Sequence, residues 1–177
     1  KNEVINHLYP RKNYLLIATN SGLYEINRTQ KTIQKIYSTA NNTHNSKNRI
    51  VKAVTKDNND NIWLGTTNGM YKYNLPTKTI KAYNQPAENA ITSHLITDLQ
   101  QDNKGNIWVG TTNGGLNRIN PQTRKIRHFV HNPEDSSSIS SNKVQCIFQD
   151  QNNRIWIGTD NGLNLFLPKA EGFKHFY

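Results

Sequence analysis

Apolar residues along the chain fall in short runs parted by polar turns, and the runs return in a fixed order. Runs at residues 4–8, 50–54, 95–99 and 144–148 each lead into a polar turn, the pattern of a short strand covered on both faces. A denser apolar segment follows each turn: Tyr14-Leu15-Leu16-Ile17-Ala18-Thr19, Asn61-Ile62-Trp63-Leu64-Gly65-Thr66, Asn106-Ile107-Trp108-Val109-Gly110-Thr111 and Arg154-Ile155-Trp156-Ile157-Gly158-Thr159. Each closes on Ser-Gly or Asn-Gly, a pair that tolerates the positive φ of a two-residue hairpin turn. A third strand is predicted at residues 23–26, 70–73, 116–119 and 163–166, with the alternation of a half-buried strand. The fourth, at 32–37, 79–83, 125–130 and 172–176, alternates least, as an outer edge would.

The spacing makes this a repeat. Trp63, Trp108 and Trp156 lie 45 and 48 residues apart, and a degenerate copy 47 residues earlier has Leu16 for Trp and Ala18 for Gly. Four antiparallel strands in about 45 residues predict a β-propeller blade, in which each sheet covers its neighbour's apolar face. Helical repeats are set aside, because no window keeps a 3.6-residue period and Gly or Asn interrupts every candidate helix. The expected fold is all-β: one propeller segment over 1–177, with blades at about 1–47, 48–92, 93–141 and 142–177. The chain begins on an innermost strand and stops on an outermost one, so nothing is left over to latch a ring. Four blades can close, and the phase fits part of a longer propeller equally well. End blades left open would expose apolar faces, from which a homodimer is expected.

Composition narrows the function classes. Only 34% of the 177 residues are hydrophobic and 27 are asparagine, so the core is thin and turns are many. No stretch approaches the roughly 18 apolar residues of a membrane span, and the first residues show no basic-then-apolar leader, so neither a span nor an export signal is expected within the sequence. Cys146 is the single cysteine, which excludes an intramolecular disulfide. The net charge of +10 is spread almost evenly, apart from Arg124-Lys125-Arg127-His128 on an alternating segment. That cluster reads as the solvent face of a strand, and nucleic acid is not expected as a partner.

Candidate chemistry is sparse. The periodic tryptophans read as blade-packing residues rather than sugar platforms. Asp57, Asp102 and Asp150 close the innermost strands, where their carboxylates can accept turn N–H groups. Residues 57–61 fit the first ligands of a calcium loop, but Ile62 stands where Gly is needed and Asn68 where Glu is needed. No metal, cofactor or catalytic residue is assigned, and no His, Ser or carboxylate cluster has diagnostic spacing. Connections between blades and the second-to-third-strand hairpins share one face of a propeller. Glu3, Arg49, His94 and Lys143, with Asn2, Asn48, Ser93 and Asn142, should therefore ring the channel mouth. Of these, Asn48, Arg49, His94, Asn142 and Lys143 are the candidate ligand-binding residues, suited to an oligosaccharide or another polar small ligand.

Residues 132–164 carry Asn-Pro-Glu-Asp-Ser-Ser-Ser-Ile-Ser, then Ser-Asn-Lys-Val-x-x-Ile-x-x-Asp, then Ile-Trp-x-Gly-Thr-x-x-Gly-Leu-Asn. This resembles the two-component regulator propeller repeat, nearly position by position over 131–162, strongly in the last three blades and weakly in the first. The resemblance implies the periplasmic sensor region of a Bacteroidetes hybrid two-component histidine kinase. Such receptors have two seven-bladed propellers, an immunoglobulin-like module, a membrane helix and a kinase, and many respond to oligosaccharides. The chain is then expected to be a non-enzymatic, four-blade piece of a larger seven-bladed propeller. Its partners would be the remaining blades and the kinase of the parent receptor. Two alternatives stand beside this reading: a propeller lyase with a base near the axis, and a basic scaffold that binds an acidic partner.

Overall fold

The computed structural model describes residues 3–38, 50–83 and 90–177. All sixteen regular elements among them are strands, in four four-stranded antiparallel sheets with neighbours in chain order. The first sheet holds β1 (Ile5–Pro10), β2 (Tyr14–Thr19), β3 (Gly22–Asn27) and β4 (Thr32–Ser38). The second holds β5 (Val51–Lys56), β6 (Ile62–Thr66), β7 (Gly69–Asn74) and β8 (Thr79–Ala82). The third holds β9 (Ile96–Gln101), β10 (Ile107–Thr111), β11 (Leu116–Ile119) and β12 (Ile126–Phe129), and the fourth β13 (Val144–Gln149), β14 (Ile155–Thr159), β15 (Gly162–Leu167) and β16 (Gly172–Phe176). The chain divides into two compact units, Lys1–Tyr83 and Asn84–Tyr177, each with two sheets.

Within each unit the sheets pack by one rule. The face that carries the tryptophan position lies against the opposite, aliphatic face of the next sheet. In the first unit Leu16, Ala18, Leu23 and Tyr37 pack on Val51, Val54, Ile62, Leu64, Tyr71 and Tyr73. In the second, Trp108, Leu116 and Phe129 pack on Ile147, Ile155, Ile157, Phe166 and Phe173, with Phe129 stacked on the indole of Trp108 at a centroid distance of 5.7 Å. Close approach explains the glycine two residues after tryptophan: a Cβ on Gly110 would lie 2.7 Å from Val144 Cγ1 of the next sheet. Buried polar groups stitch the same interface. Asp98 Oδ2 accepts the N–H of Ile147 at 2.7 Å, and His7 Nδ1, at the same register position of the first sheet, accepts that of Val54 at 3.2 Å.

Each tryptophan is locked by the aspartate six residues before it. Asp57 Oδ1 accepts the N–H groups of Asn59 and Asn61 at 2.9 and 3.0 Å, and Oδ2 accepts the indole N–H of Trp63 at 2.8 Å. Asp102 and Asp150 repeat this with Trp108 and Trp156, both at 2.9 Å. The expected turn role of these carboxylates is therefore joined by one that spacing did not suggest: satisfying the polar edge of a buried aromatic. The first sheet lacks the pair altogether. Its β1–β2 turn is one residue shorter, with Arg11 N–H bonded to Tyr14 O where Asp57 N–H bonds Asn61 O, and Leu16 fills the tryptophan site.

Two expectations change. The innermost strands are not all covered on both faces: Leu8 on β1 is 50% exposed and Phe148 on β13 is 62% exposed. On the fourth sheet Cys146, Phe148, Trp156, Gly158 and Leu163 line an open apolar groove of about 360 Å³. In three of the four sheets, moreover, the hairpin glycine does not sit inside the turn. Gly22, Gly69 and Gly162 pair with Thr19, Thr66 and Thr159 as the first residues of their strands, leaving Asn20-Ser21, Thr67-Asn68 and Asp160-Asn161 as the loops. Each preceding threonine knots its loop; Thr66 Oγ1, for example, donates to Gly69 O at 2.8 Å and accepts from Asn68 N at 3.0 Å.

The indole bond has a titration consequence. Asp150 is held down from the usual 3.8 to about 2, first by the hydrogen bond from Trp156 and then by those from Arg154 and Asn152. A carboxyl depressed in the folded state stabilises the fold above its unfolded value and loses that contribution as pH falls through its folded value. Trp156→Phe should therefore raise the Asp150 pKa toward 3.8 and flatten the pH dependence of stability below it. Carboxyl 13C NMR titration of both proteins measures the shift, and an unmoved pKa would contradict the assignment.

Candidate functional site

The end of the sheets that carries the inter-sheet connectors and the β2–β3-type hairpins is the region where ligand-binding residues were expected. A recurrent backbone bond builds it: the residue just before each innermost strand accepts an N–H from the facing hairpin. Val4 O takes Asn20 N, Ile50 O takes Thr67 N, Leu95 O takes Thr112 N and Lys143 O takes Asp160 N, at 3.0–3.3 Å. This register corrects one expectation. His94 is equivalent to Asn142, whereas Lys143 matches Leu95, Ile50 and Val4. The misreading has a simple cause: the apolar run starts one residue before the strand at Ile50 and Leu95 but on the strand itself at Val144.

The candidate residues have different degrees of freedom. Asn2, Asn48 and Arg49 lie outside the described residues. His94 is exposed on the connector into β9. Lys143 is exposed too, with Nζ 3.6 Å from Asp160 Oδ2. Asp160 is held below the ordinary carboxylate range, first by a hydrogen bond from Ser141 and further by the Lys143 charge. Asn142 is committed to structure: Oδ1 accepts His131 N–H at 2.7 Å, and its carbonyl accepts Gly115 N–H at 2.8 Å. Glu3, on the first sheet, accepts from the hydroxyls of Ser21 and Tyr24 at 2.5 and 3.1 Å, and the Ser21 bond chiefly lowers its pKa. His94, Lys143 and Asp160 thus offer a ring nitrogen, an ammonium and a carboxylate to solvent, an inventory suited to binding a polar ligand. Among the described residues, no group of three or more His, Cys, Asp and Glu is placed to hold a metal ion.

What fixes the connectors is a pair of buried asparagines that the sequence reading passed over. Asn164 Oδ1 accepts Ser140 N–H at 2.8 Å, and its amide donates to Ser140 Oγ at 2.8 Å and to Ile157 O at 3.2 Å. Asn117 does the same for Thr92, accepting its N–H at 3.1 Å and donating to its Oγ1 at 2.8 Å, while His128 Nδ1 contacts its Oδ1. A signal was present: Thr92 and Ser140 each stand 16 residues before a tryptophan.

Sequence comparison now bears on this repeated architecture. Two-component regulator propeller repeats match at residues 46–68, 90–113 and 138–161. The chain carries two-component regulator propeller repeats. It is similar, at 27% identity and a TM-score of 0.74, to the extracellular domain of a protein described as a hybrid two-component system from B. thetaiotaomicron, over 96% of this chain and 23% of that one. A second extracellular domain, of a protein described as a one-component system from the same organism, matches at 27% identity and a TM-score of 0.71, over 92% of this chain and 21% of that one. The chain thus spans less than a quarter of the length of either domain. Virginiamycin B lyase from Staphylococcus aureus matches at 14% identity and a TM-score of 0.70, over 99% of this chain and 56% of that one. That likeness shows the fold alone. No curated protein matches the chain. The repeat matches fall on the second, third and fourth sheets and agree with the all-β, propeller-type fold read from the sequence.

The asparagine locks are testable. Asn164 is fully buried, and its removal leaves the Ser140 N–H and Oγ without their partner. Asn164→Ala should cost about 1–3 kcal/mol, as buried unsatisfied groups do. Urea denaturation followed by tryptophan fluorescence measures the loss, and an unchanged midpoint would contradict the role.

Proposed function

We propose that the chain is an extracytoplasmic sensor segment of a hybrid two-component receptor, binding a saccharide or similar polar ligand and relaying to a histidine kinase outside the segment. The observation that carries this reading is 27% identity over almost the whole chain to extracellular domains of Bacteroides signalling systems, one of them described as a hybrid two-component system. The segment would sit in the periplasm and act as one propeller piece of a larger, seven-bladed ring, with the remaining blades and the kinase as partners. Binding shifts such a receptor only through different affinities for its two states, so the binding residues must lie where the states differ. The connector end of the second unit, with His94 and Lys143, is the proposed contact region; Asn48 and Arg49, the other candidates, lie outside the described residues. Asn142 serves it indirectly, as the residue that holds the connector.

The exposed end faces suggest a second association. The outer face of the first sheet carries exposed Leu8 and Ile33 beside half-buried Leu15 and buried Ile17, with Leu15 and Ile17 in the register positions that hold Ile62 and Leu64 in the second. The open tryptophan face of the fourth sheet is the surface such a face covers elsewhere in the chain, so two copies can pair head to tail. A strictly monomeric mass at high concentration in analytical ultracentrifugation would exclude this pairing.

For ligand binding, His94→Ala combined with Lys143→Ala should weaken saccharide affinity about tenfold or more, with Asn164 and the tryptophans unaltered. Calorimetric titration of the receptor ectodomain that contains the segment, against a panel of oligosaccharides, measures this. Affinity unchanged in Arg49→Ala and Lys143→Ala would place the site elsewhere.

A further inference from the structure

Side chains line up in rows across the tryptophan face of each sheet. In the second sheet one row is Thr55, Trp63, Lys72 and Lys81, and in the third it is Gln100, Trp108, Arg118 and Arg127, each residue the register partner of the next. The inner cation of both rows lies over the indole, 5.4 Å from the ring centroid. Both rows then set two cations opposite each other on neighbouring strands, an arrangement that costs stability when nothing lies between them.

The third sheet shows what resolves the conflict. Glu171, from the fourth sheet, accepts two hydrogen bonds from Arg118 at 3.0 and 3.1 Å and lies 3.7 Å from Arg127 Nε. Its positive-φ turn position is occupied by Lys31, Lys78 and Arg124 in the other repeats, so this carboxylate occurs once. The second sheet has the same pair of charges in Lys72 and Lys81, yet no carboxylate among the described residues lies within ion-pair distance of either. Instead Lys72 and Lys81 open onto a groove of about 450 Å³, lined otherwise by Asn61, Asn74, Thr77 and Thr79.

We propose that this groove binds an oxyanion on a hydroxyl-rich ligand, namely the carboxylate of a uronic-acid sugar or the sulfate ester of a sugar, in the role that Glu171 fills for Arg118 and Arg127. Two lysines supply rotatable charged donors that suit either a planar or a tetrahedral oxyanion, whereas the arginine fork of the third sheet is already committed to its own carboxylate. The amides and hydroxyls around them match sugar hydroxyls. The groove lies at the end of the strands opposite the connectors, since Lys72 pairs with Trp63 near the start of β6 and Thr66 ends that strand at the connector side.

The test is calorimetric titration of the chain with trigalacturonate, with inorganic sulfate and with neutral maltotriose. The expected result is saturable binding of at least one anion, none of maltotriose, and an affinity that falls as sodium chloride rises. Trigalacturonate alone assigns a carboxylate ligand, and sulfate alone a sulfate ester. The Lys72→Gln, Lys81→Gln double variant should bind at least about tenfold more weakly. The Lys72→Arg, Lys81→Arg variant should retain binding, which separates lost charge from lost packing on Trp63. Glu171→Gln, which leaves Arg118 and Arg127 without their carboxylate, should add a second equivalent of anion. No saturable heat from either anion, or binding that the double glutamine variant leaves unchanged, overturns the assignment.

Discussion

Within each unit the structure depends on burying the face that carries the tryptophan position against the aliphatic face of the next sheet, and in the second unit that face is aromatic. An indole fills such an interface well only if its N–H keeps a partner, and the aspartate six residues earlier supplies one without leaving its own turn. Asp102 joins the β9–β10 turn, the Trp108 indole and hence the interface with β13–β16 in one hydrogen-bonded unit. Burying a tryptophan is worth roughly 3–5 kcal/mol against alanine, and a charge-assisted bond adds about 1.5–3, so this pairing outweighs any other local contact in a chain with so few apolar residues. The first sheet confirms the linkage in reverse, since Leu16 and Arg11 replace indole and carboxylate together.

Most of the fold was legible because it is periodic. Strand, turn, tryptophan and glycine recur at nearly constant spacing, and alternation fixes which face each residue takes. Less legible were features set by register rather than composition. The apolar run starts on the strand at Val144 but one residue before it at Leu95, and that offset hid the equivalence of His94 with Asn142 rather than with Lys143. Asn117 and Asn164 fall on predicted third strands, but nothing distinguishes them among 27 asparagines, and only the fold shows their side chains wholly buried. The exposed faces of β1 and β13 were likewise read as covered, because a strand that meets no neighbour has the same apolar pattern as one that does.

The two ends of each sheet have different characters. At the connector end, many polar side chains hold backbone, and His94, Lys143 and Asp160 are among the exposed titratable groups there. At the opposite end the tryptophan rows of the second and third sheets finish in paired cations, which the fold neutralises in the third and leaves open in the second. A net charge of +10 is therefore not a uniform coat. It includes pairs whose geometry asks for an anion, and that is a local property of the repeat rather than a call for nucleic acid.

The most direct test of the interface rule is amide hydrogen exchange on Trp108→Ala. Because Trp108 belongs to a core shared with Ile147, Ile155, Ile157, Phe166 and Phe173, protection should fall together in β9–β12 and in β13–β16. Loss confined to β9–β12, with β13–β16 protected as before, would contradict the account, since the fourth sheet would then stand without the face it covers.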